Sequence, residues 1–241
     1  FFCFQFKSII MLRRHSCEVV ISKNVGCCGA IPLHLGKKDQ AINDARRNIL
    51  AWHSEIEGEG LDAIVVNASG CGTTIKDYAH MLKGDPKFKD IAKKISSITY
   101  DITEILLELG VDTFNKHTHD ISIAYHDSCS MQHGQGLSNP PRSLLSAAGF
   151  DICEVPDGNL CCGAAGTYNI LQPKIADALG RKKGTHVKST GAKVVVAANL
   201  SCLMQIEKYS GLPALHTVEL LDWATGGTTP KKIEKLLQKS N

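Results

Sequence analysis

The chain has 241 residues, of which 43% are hydrophobic and 21% are charged, and its formal net charge is +3. This composition is ordinary for a folded protein, and the small charge gives no reason to expect a nucleic-acid partner. The purely apolar runs reach only about five residues, whereas a membrane-spanning helix needs roughly 20, so no such span is predicted.

Short β-branched runs alternate with longer stretches of helical spacing along the chain. Short β-branched runs are typical of buried parallel strands, and stretches of helical spacing are typical of the helices that connect them. The pattern therefore predicts an α/β fold. In chain order the predicted strands lie at 18–21, 63–66, 121–124 and 193–196. The predicted helices lie at 38–56, 89–109, 173–188 and 230–239, and another begins near Pro140.

Two cysteine motifs recur in the same order at nearly the same spacing. The segment Gly26–Ala30, which reads GCCGA, returns as LCCGA at 160–164, and the strand-end Cys71 returns as Cys202. Such a recurrence indicates two copies of one unit. We therefore predict two similar parallel-sheet βαβ halves, of which the first lacks its opening strand. Their predicted limits are 1–118 and 119–241, with the junction in the polar stretch 115–120.

The chain contains 10 cysteines. This density is too low for a disulfide-stapled secreted scaffold, and the apolar start at 1–6 lacks the features of a secretory signal. We therefore expect reduced thiols in the cytoplasm, where paired cysteines indicate metal or redox chemistry.

Four cysteines of the second half follow predicted strands or lie in the loops after them. They are Cys129, Cys161, Cys162 and Cys202. Loops at the carboxyl ends of parallel strands converge on one crevice, so we expect these thiols to meet there. Four thiolates suit either an iron–sulfur cluster or zinc, but the adjacent pair and the lack of a Cys-x-x-Cys knuckle favour a multi-iron cluster. The small residues after Cys162 should let the backbone pass close to it.

The first half has a partial counterpart of this site, made of Cys27, Cys28 and Cys71. A thiol–disulfide reductase and a structural zinc module are the alternative interpretations of the paired cysteines. His126 and His133 flank Cys129, and each could bond either to cluster sulfur or to local backbone groups. The basic run 181–183 is expected on a solvated helix face.

These motifs together resemble the cysteine-rich, Cys-Cys-Gly domain of the kind found in heterodisulfide reductase. That family includes iron–sulfur subunits of glycolate oxidase, of lactate utilisation complexes and of anaerobic glycerol-3-phosphate dehydrogenase. The glycolate oxidase branch is favoured by the HGQG stretch at 133–136 and by the segment 216–224. The other segments that carry the resemblance are 26–36, 67–71, 125–129, 161–168 and 199–202.

The resemblance implies an electron-transfer subunit of an oxidoreductase complex that converts glycolate to glyoxylate. FAD would be bound by partner subunits, and this chain would carry a cluster, of the 4Fe-4S type, and pass electrons to a quinone or another acceptor. A related subunit for lactate, for glycerol-3-phosphate or for heterodisulfide reduction is the alternative. The complex would lie in the cytoplasm, at the inner face of the membrane.

Two departures from the family pattern concern the cysteines. Ala68 and Asn199 stand where the heterodisulfide reductase type has the first cysteine of Cys-x-x-Cys. The family also has an earlier cysteine about one strand upstream of Cys27, and this chain has no clear equivalent. We therefore expect an incomplete first site, in a chain that corresponds to the carboxy-terminal part of its relatives without their ferredoxin-like region.

Overall fold

The structure is a computed structural model, and it describes residues 2–110 and 121–238. The predicted junction of the halves falls in the gap between these ranges, so the domain limits stay a prediction. Before the gap the elements are α1 Phe2–Arg14, α2 Ala30–His34, α3 Lys38–Glu57, β1 Ile64–Val66, α4 Ser69–Lys76, α5 Tyr78–Met81, α6 Lys89–Ser97, β2 Thr99–Asp101 and α7 Ile102–Glu108. After the gap they are β3 Ser122–Tyr125, α8 Asn139–Ala147, β4 Asp151–Cys153, α9 Tyr168–Leu171, α10 Pro173–Ser189, β5 Val194–Ala197, α11 Leu200–Ser210, β6 Ala214–His216, α12 Thr217–Ala224 and α13 Lys231–Leu237.

Two parallel sheets organise the fold, one on each side of the gap. The larger sheet has the strand order β4-β3-β5-β6, and the smaller pairs β1 with β2. All of these pairs are parallel. Strands β1 and β5 are equivalent, because each leads into the repeated cysteine, Cys71 or Cys202. The predicted α/β fold with two similar parallel-sheet halves is confirmed.

Alternate residues of the larger sheet pack against helices on opposite faces, as the pleat of a strand requires. Ile123 and Val194 belong to a core shared with α7, α8 and α12. Ala124 and Val195 belong to a second core, which is built with α10 and α11 and contains the cysteines of the second half that are most deeply buried. Helices α3 to α6 form a separate core around β1. None of the helices in the described ranges is long and apolar enough to cross a membrane.

The prediction of a strand at 18–21 is wrong. This segment pairs with no strand in the described chain, and Val20 and Ile21 are exposed. In the second half the corresponding strand, β4, pairs with β3, which separates it from β5. Among the described residues the first half has no equivalent of β3. A cavity of about 1070 Å³ lies in that place, lined by 16–22 on one side and 61–68 on the other. Without a neighbour the segment 18–21 has no ladder to join, and one edge of β1 is open within these ranges.

The prediction of one helix at 89–109 is also wrong, because β2 interrupts it. Apolar residues keep helical spacing across the whole stretch, which conceals the break. The break occurs where α6 ends and Thr99 and Asp101 become buried partners of Ile64 and Val66 in β1. Tertiary pairing with β1 therefore overrides the local pattern.

The helix after the last strand of each sheet begins at a buried titratable cap. The Asp101 carboxylate accepts a hydrogen bond from the Thr103 N–H at 2.9 Å, and His216 Nδ1 accepts one from the Val218 N–H at 3.2 Å. In both helices, a glutamate three residues after the cap accepts a hydrogen bond from the backbone N–H of the cap residue. Burial raises the pKa of Asp101 to about 6 and lowers the pKa of His216 to about 4, because desolvation disfavours each charged form.

We expect Asp101→Asn to make stability rise more steeply between pH 4 and 6. The folded wild type keeps the Asp101 proton up to about pH 6, whereas the unfolded chain releases it near pH 3.8, so this group lowers stability as pH rises. His216 acts in the opposite sense: the unfolded chain binds its proton below about pH 6.5, while the folded imidazole stays neutral down to about pH 4. Once Asp101 is replaced, nothing opposes the effect of His216, and the free energy of unfolding should rise with pH by at most about 1.4 kcal/mol per pH unit.

Urea unfolding across this pH range measures the effect. The wild type should show a shallow dependence, and His216→Asn should make stability fall as pH rises. An Asp101→Asn slope equal to that of the wild type would contradict the assignment.

Candidate metal centre

Four cysteines of the second half meet beside the larger sheet. Cys129 follows β3 and precedes a π-helical turn, Cys161 and Cys162 lie in the loop between β4 and α9, and Cys202 lies in the first turn of α11. Cys162 Sγ donates a hydrogen bond to Cys202 Sγ at 3.1 Å. Cys161 is hydrogen-bonded to Cys129 and also to Cys162. The structure therefore brings together the four residues that the sequence analysis selected.

The hydrogen bonds among these thiols divide them into two kinds. The bond from Cys129 lowers the pKa of the Cys161 thiol, and the bond from Cys162 lowers the pKa of Cys202 to about 5. The pKa values of the donors Cys129 and Cys162 are raised by these bonds and by burial. Two of the four sulfurs thus favour the thiolate form, which is the form that binds metals.

The double-cysteine loop is shaped by Gly163. Its φ is +88°, a left-handed conformation that favours glycine, and a Cβ at this position would lie 2.6 Å from the carbonyl oxygen of Ala176 in α10. The Gly163 and Ala164 N–H groups donate to the sulfurs of Cys161 and Cys162, at 3.3 and 3.5 Å. The glycine therefore allows close approach to a helix, and the predicted approach of the backbone to a cluster stays a prediction.

The same loop is anchored by a buried lysine, for which the prediction of a solvated helix face is wrong. Lys183 was expected on a solvated face, but it is fully buried. Its Nζ donates to the carbonyl oxygens of Asp157 and Gly158, both at 3.1 Å, just before the cysteine pair. Burial lowers its pKa, while the nearby Cys162 acts in the opposite direction. A buried cation beside several thiols offsets part of their negative charge.

Two polar side chains from the segment between β3 and Cys129 also reach this site. His126 and Ser128 both contact the Cys202 thiol, and both are buried. The Nδ1 atom of His126 has no hydrogen-bond partner in the described part of the chain. Buried polar atoms without partners are rare in folded proteins, so they indicate that the site is built to face additional polar atoms.

The first half holds its three cysteines in a similar way. Cys28 is buried, Cys71 is partly buried and Cys27 is exposed. A hydrogen bond between Cys28 and Cys71 raises the pKa of the first thiol and lowers that of the second. Gly29 has a φ of +84°, and a Cβ there would lie 3.0 Å from the Ala41 carbonyl oxygen of α3, which repeats the arrangement at Gly163.

The backbone of the first double-cysteine loop is held by two buried polar side chains. Asn48 donates from Nδ2 to the Cys27 carbonyl at 2.9 Å and accepts at Oδ1 from the Gly26 N–H at 2.8 Å. The Tyr78 hydroxyl donates to the Cys28 carbonyl at 2.8 Å. The three cysteines therefore lie on a defined scaffold, at the carboxyl end of β1 and beside its open edge.

A polar bridge connects the two sites across the halves. Asn199 accepts from the Ser201 and Cys202 N–H groups at Oδ1 and so caps α11, and its Nδ2 donates to the Ser69 hydroxyl at 3.1 Å. That hydroxyl shares a hydrogen bond with the Ser130 hydroxyl at 2.7 Å. Each member of the bridge lies within three residues of a site cysteine. Asn199 thus has a capping and bridging role at the position where the heterodisulfide reductase pattern has a cysteine.

The donor set determines what each site can hold. The second half offers four thiols from three separate segments, with polar side chains near the sulfurs, and this set fits an iron–sulfur cluster whose sulfurs accept hydrogen bonds. Four thiols also satisfy zinc, so the ligands alone suit both metals. His126, Cys162 and Cys202 have donor atoms within 4.8 Å of one another. The partial site of the first half offers the three thiols of Cys27, Cys28 and Cys71.

Comparisons with known proteins find relatives named as iron–sulfur subunits and as a lactate utilization protein. The Glycolate oxidase iron-sulfur subunit of Escherichia coli (strain K12) is 34% identical over 214 residues, which cover 89% of this chain and 52% of that protein. The Probable glycolate oxidase iron-sulfur subunit of Bacillus subtilis (strain 168) is 33% identical over 91% of this chain and 50% of that protein. Lactate utilization protein A of the same organism is 31% identical over 89% of this chain and 90% of that protein. The chain thus spans about half the length of the two glycolate oxidase subunits.

The family comparison covers both repeats. The model of the family described as "Cysteine-rich domain" (CCG) matches residues 7–76 and 123–207. The first matched stretch contains the three cysteines of the partial site, and the second contains the four that meet beside the larger sheet. The chain therefore belongs to the cysteine-rich domain (CCG) family.

Proposed function

We propose that this chain is the iron–sulfur electron-transfer subunit of an oxidoreductase complex that converts glycolate to glyoxylate. The observation that carries the proposal is the convergence of four cysteines from distant segments, with the Cys162 and Cys202 sulfurs 3.1 Å apart. The names of the relatives support an iron–sulfur oxidoreductase subunit, and two of them support glycolate as the substrate of the complex.

The cysteines of the second half differ in how they would hold an iron–sulfur cluster. A bound iron–sulfur cluster supplies one-electron redox chemistry. Cys129, Cys161, Cys162 and Cys202 are the proposed ligands. Cys162 and Cys202 are buried and shield the site from water, whereas Cys129 is exposed and leaves one side close to the surface. A short distance from the surface is what exchange of electrons with a partner protein requires.

The partners follow from the same resemblance. We propose FAD-containing subunits as the electron donors, a quinone or another carrier as the acceptor, and a position in the cytoplasm at the inner face of the membrane, reached through those partners. Cys27, Cys28 and Cys71 form a second, partial metal site. The hydrogen bond between Asn199 and Ser69, which lie close in sequence to Cys202 and Cys71, supports a relay between the two proposed sites.

Purification without oxygen tests the metal assignment. We expect iron and acid-labile sulfide in comparable amounts, and visible absorption that bleaches when glycolate is added together with the flavin subunits. D-Lactate and glycerol-3-phosphate, tested in the same way, separate glycolate from the substrates of related complexes. Zinc in place of iron, or no metal at all, would contradict the proposal.

The alternative function is thiol–disulfide or heterodisulfide reduction. The close approach of the Cys162 and Cys202 sulfurs favours it, because two thiols at this distance need little movement to form a disulfide. A metal-free protein that reduces a disulfide substrate, and whose Cys162 and Cys202 become linked during turnover, would support this function and exclude the first. Iron-dependent bleaching by glycolate would exclude the alternative.

A further inference from the structure

His126 occupies an unusual position beside the proposed cluster site. Its backbone N–H donates to the Val196 carbonyl at 2.8 Å, which extends the pairing of β3 with β5. Its side chain is 3% exposed. The ring has a nitrogen within 4.8 Å of the sulfurs of both Cys162 and Cys202. The sheet therefore fixes the backbone of His126 independently of what the ring contacts.

The ring has few polar neighbours other than sulfur. Nδ1 is buried without a partner in the described ranges, so we assign the contact with Cys202 to Nε2. The histidine–carboxylate ion pairs of the described chain are made by His53 and His186 and not by His126. A ring N–H is a hydrogen-bond donor, so an N–H on Nε2 would point toward the Cys202 sulfur.

We propose that His126 is a positioning residue that donates an N–H hydrogen bond to the Cys202 sulfur and thereby raises the reduction potential of the cluster. This inference rests on the proposed iron–sulfur function. Reduction adds one electron, and part of the added negative charge lies on the ligand sulfurs. A fixed N–H donor stabilises that charge, and it does so strongly in a buried site of low dielectric constant.

Two substitutions of His126 distinguish a ring that only fills space from a ring that donates a hydrogen bond to sulfur. His126→Phe keeps a ring of similar size and removes the donor, whereas His126→Gln places an amide N–H near the position of Nε2. We expect His126→Phe to lower the equilibrium constant for cluster reduction about tenfold, which is ~59 mV for one electron. His126→Gln should have a reduction potential near that of the wild type. The exposed His133 provides the control, and His133→Phe should leave the potential unchanged.

Redox titration of the complete, cluster-containing protein, followed by electron paramagnetic resonance, gives the potentials. Equal midpoint potentials in the wild type and His126→Phe, at equal iron content, would overturn the proposal. If His126→Phe loses its iron, His126→Asn replaces it, because the shorter amide reaches only the Nδ1 position and should also lower the potential.

Labelling provides a measurement on the wild type itself. With ¹⁵N-histidine, a hydrogen bond to sulfur gives a weak ¹⁵N hyperfine coupling to the reduced cluster, which His126→Gln should remove. A strong coupling would mean that His126 is a metal ligand, and the absence of any coupling would mean that it makes no contact, so either result overturns the proposal. If the wild type contains no iron at all, the proposed function itself fails, and that result is distinct from these.

Discussion

Replacing Cys162 with Ser is expected to abolish cluster binding in the second half while leaving the α/β fold largely intact. Cys162 is the most buried of the four thiols and contacts both Cys161 and Cys202. A serine hydroxyl is a poor ligand for iron in comparison with a thiolate, since soft sulfur donors bind such clusters. Iron and sulfide should fall by one cluster, about four iron atoms per chain if the cluster is of the 4Fe-4S type.

Cys153→Ser is the matched control for this experiment. Cys153 is a partly buried cysteine of the same half, at the end of β4. It packs against the core that contains Cys162 and Cys202, but no hydrogen bond among the described residues joins it to the four site thiols. Its replacement should leave iron and sulfide at the wild-type level. Undiminished iron in Cys162→Ser would show that the ligand assignment is wrong, and circular dichroism of both variants would report the fold.

The second large effect is expected from Gly163→Ala, which should destabilise the protein by about 2–5 kcal/mol and reduce its iron content. An alanine in the left-handed region costs roughly 1–2 kcal/mol, and overpacking a crowded position adds about 1–3 kcal/mol. At Gly163 both apply, because the new Cβ would lie 2.6 Å from the Ala176 carbonyl oxygen, which belongs to a helix and cannot move alone. The loop should shift and carry Cys161 and Cys162 with it.

Gly166→Ala separates the two contributions. Gly166 also has a positive φ, of +64°, but a Cβ there would meet nothing within 4 Å. This variant should therefore lose only about 1–2 kcal/mol and keep its metal. Urea unfolding and iron analysis measure both quantities. Equal losses in the two variants would show that the contact with α10 is unimportant.

The sequence was informative wherever one local signal implied one structure. The β-branched runs at 63–66, 121–124 and 193–196 correspond to β1, β3 and β5, because buried parallel strands require such residues. The site cysteines could be selected because they follow neighbouring parallel strands, whose carboxyl ends lie at the same edge of the sheet. The repeat was visible as a motif, and the structure extends it to the pairs Gly29 with Ala41 and Gly163 with Ala176.

The remaining features depend on neighbours that a single segment does not reveal. The run at 18–21 has the composition of a strand, but a strand also needs a partner. The break at β2 is set by pairing with β1. Lys183 resembles the exposed basic residues before it, and only the position of the loop at 157–158 shows why it is buried. The polar groups that face Cys202 could be suspected from His126, but no local pattern pointed to Ser128.

The edge of β1 that pairs with no strand among the described residues has a consequence for the aggregation of the protein. Unpaired N–H and C=O groups along an exposed strand act as a template for any other extended chain, and folded proteins usually protect such edges with charges, bulges or a covering segment. Within the described residues, the border of the cavity includes the exposed Val20 and Ile21 and also the acidic Glu18 and Asp62. The like charges of these carboxylates oppose the addition of strands to this edge, so neutralising them should promote aggregation at high concentration, and a strand that pairs with β1 should prevent it.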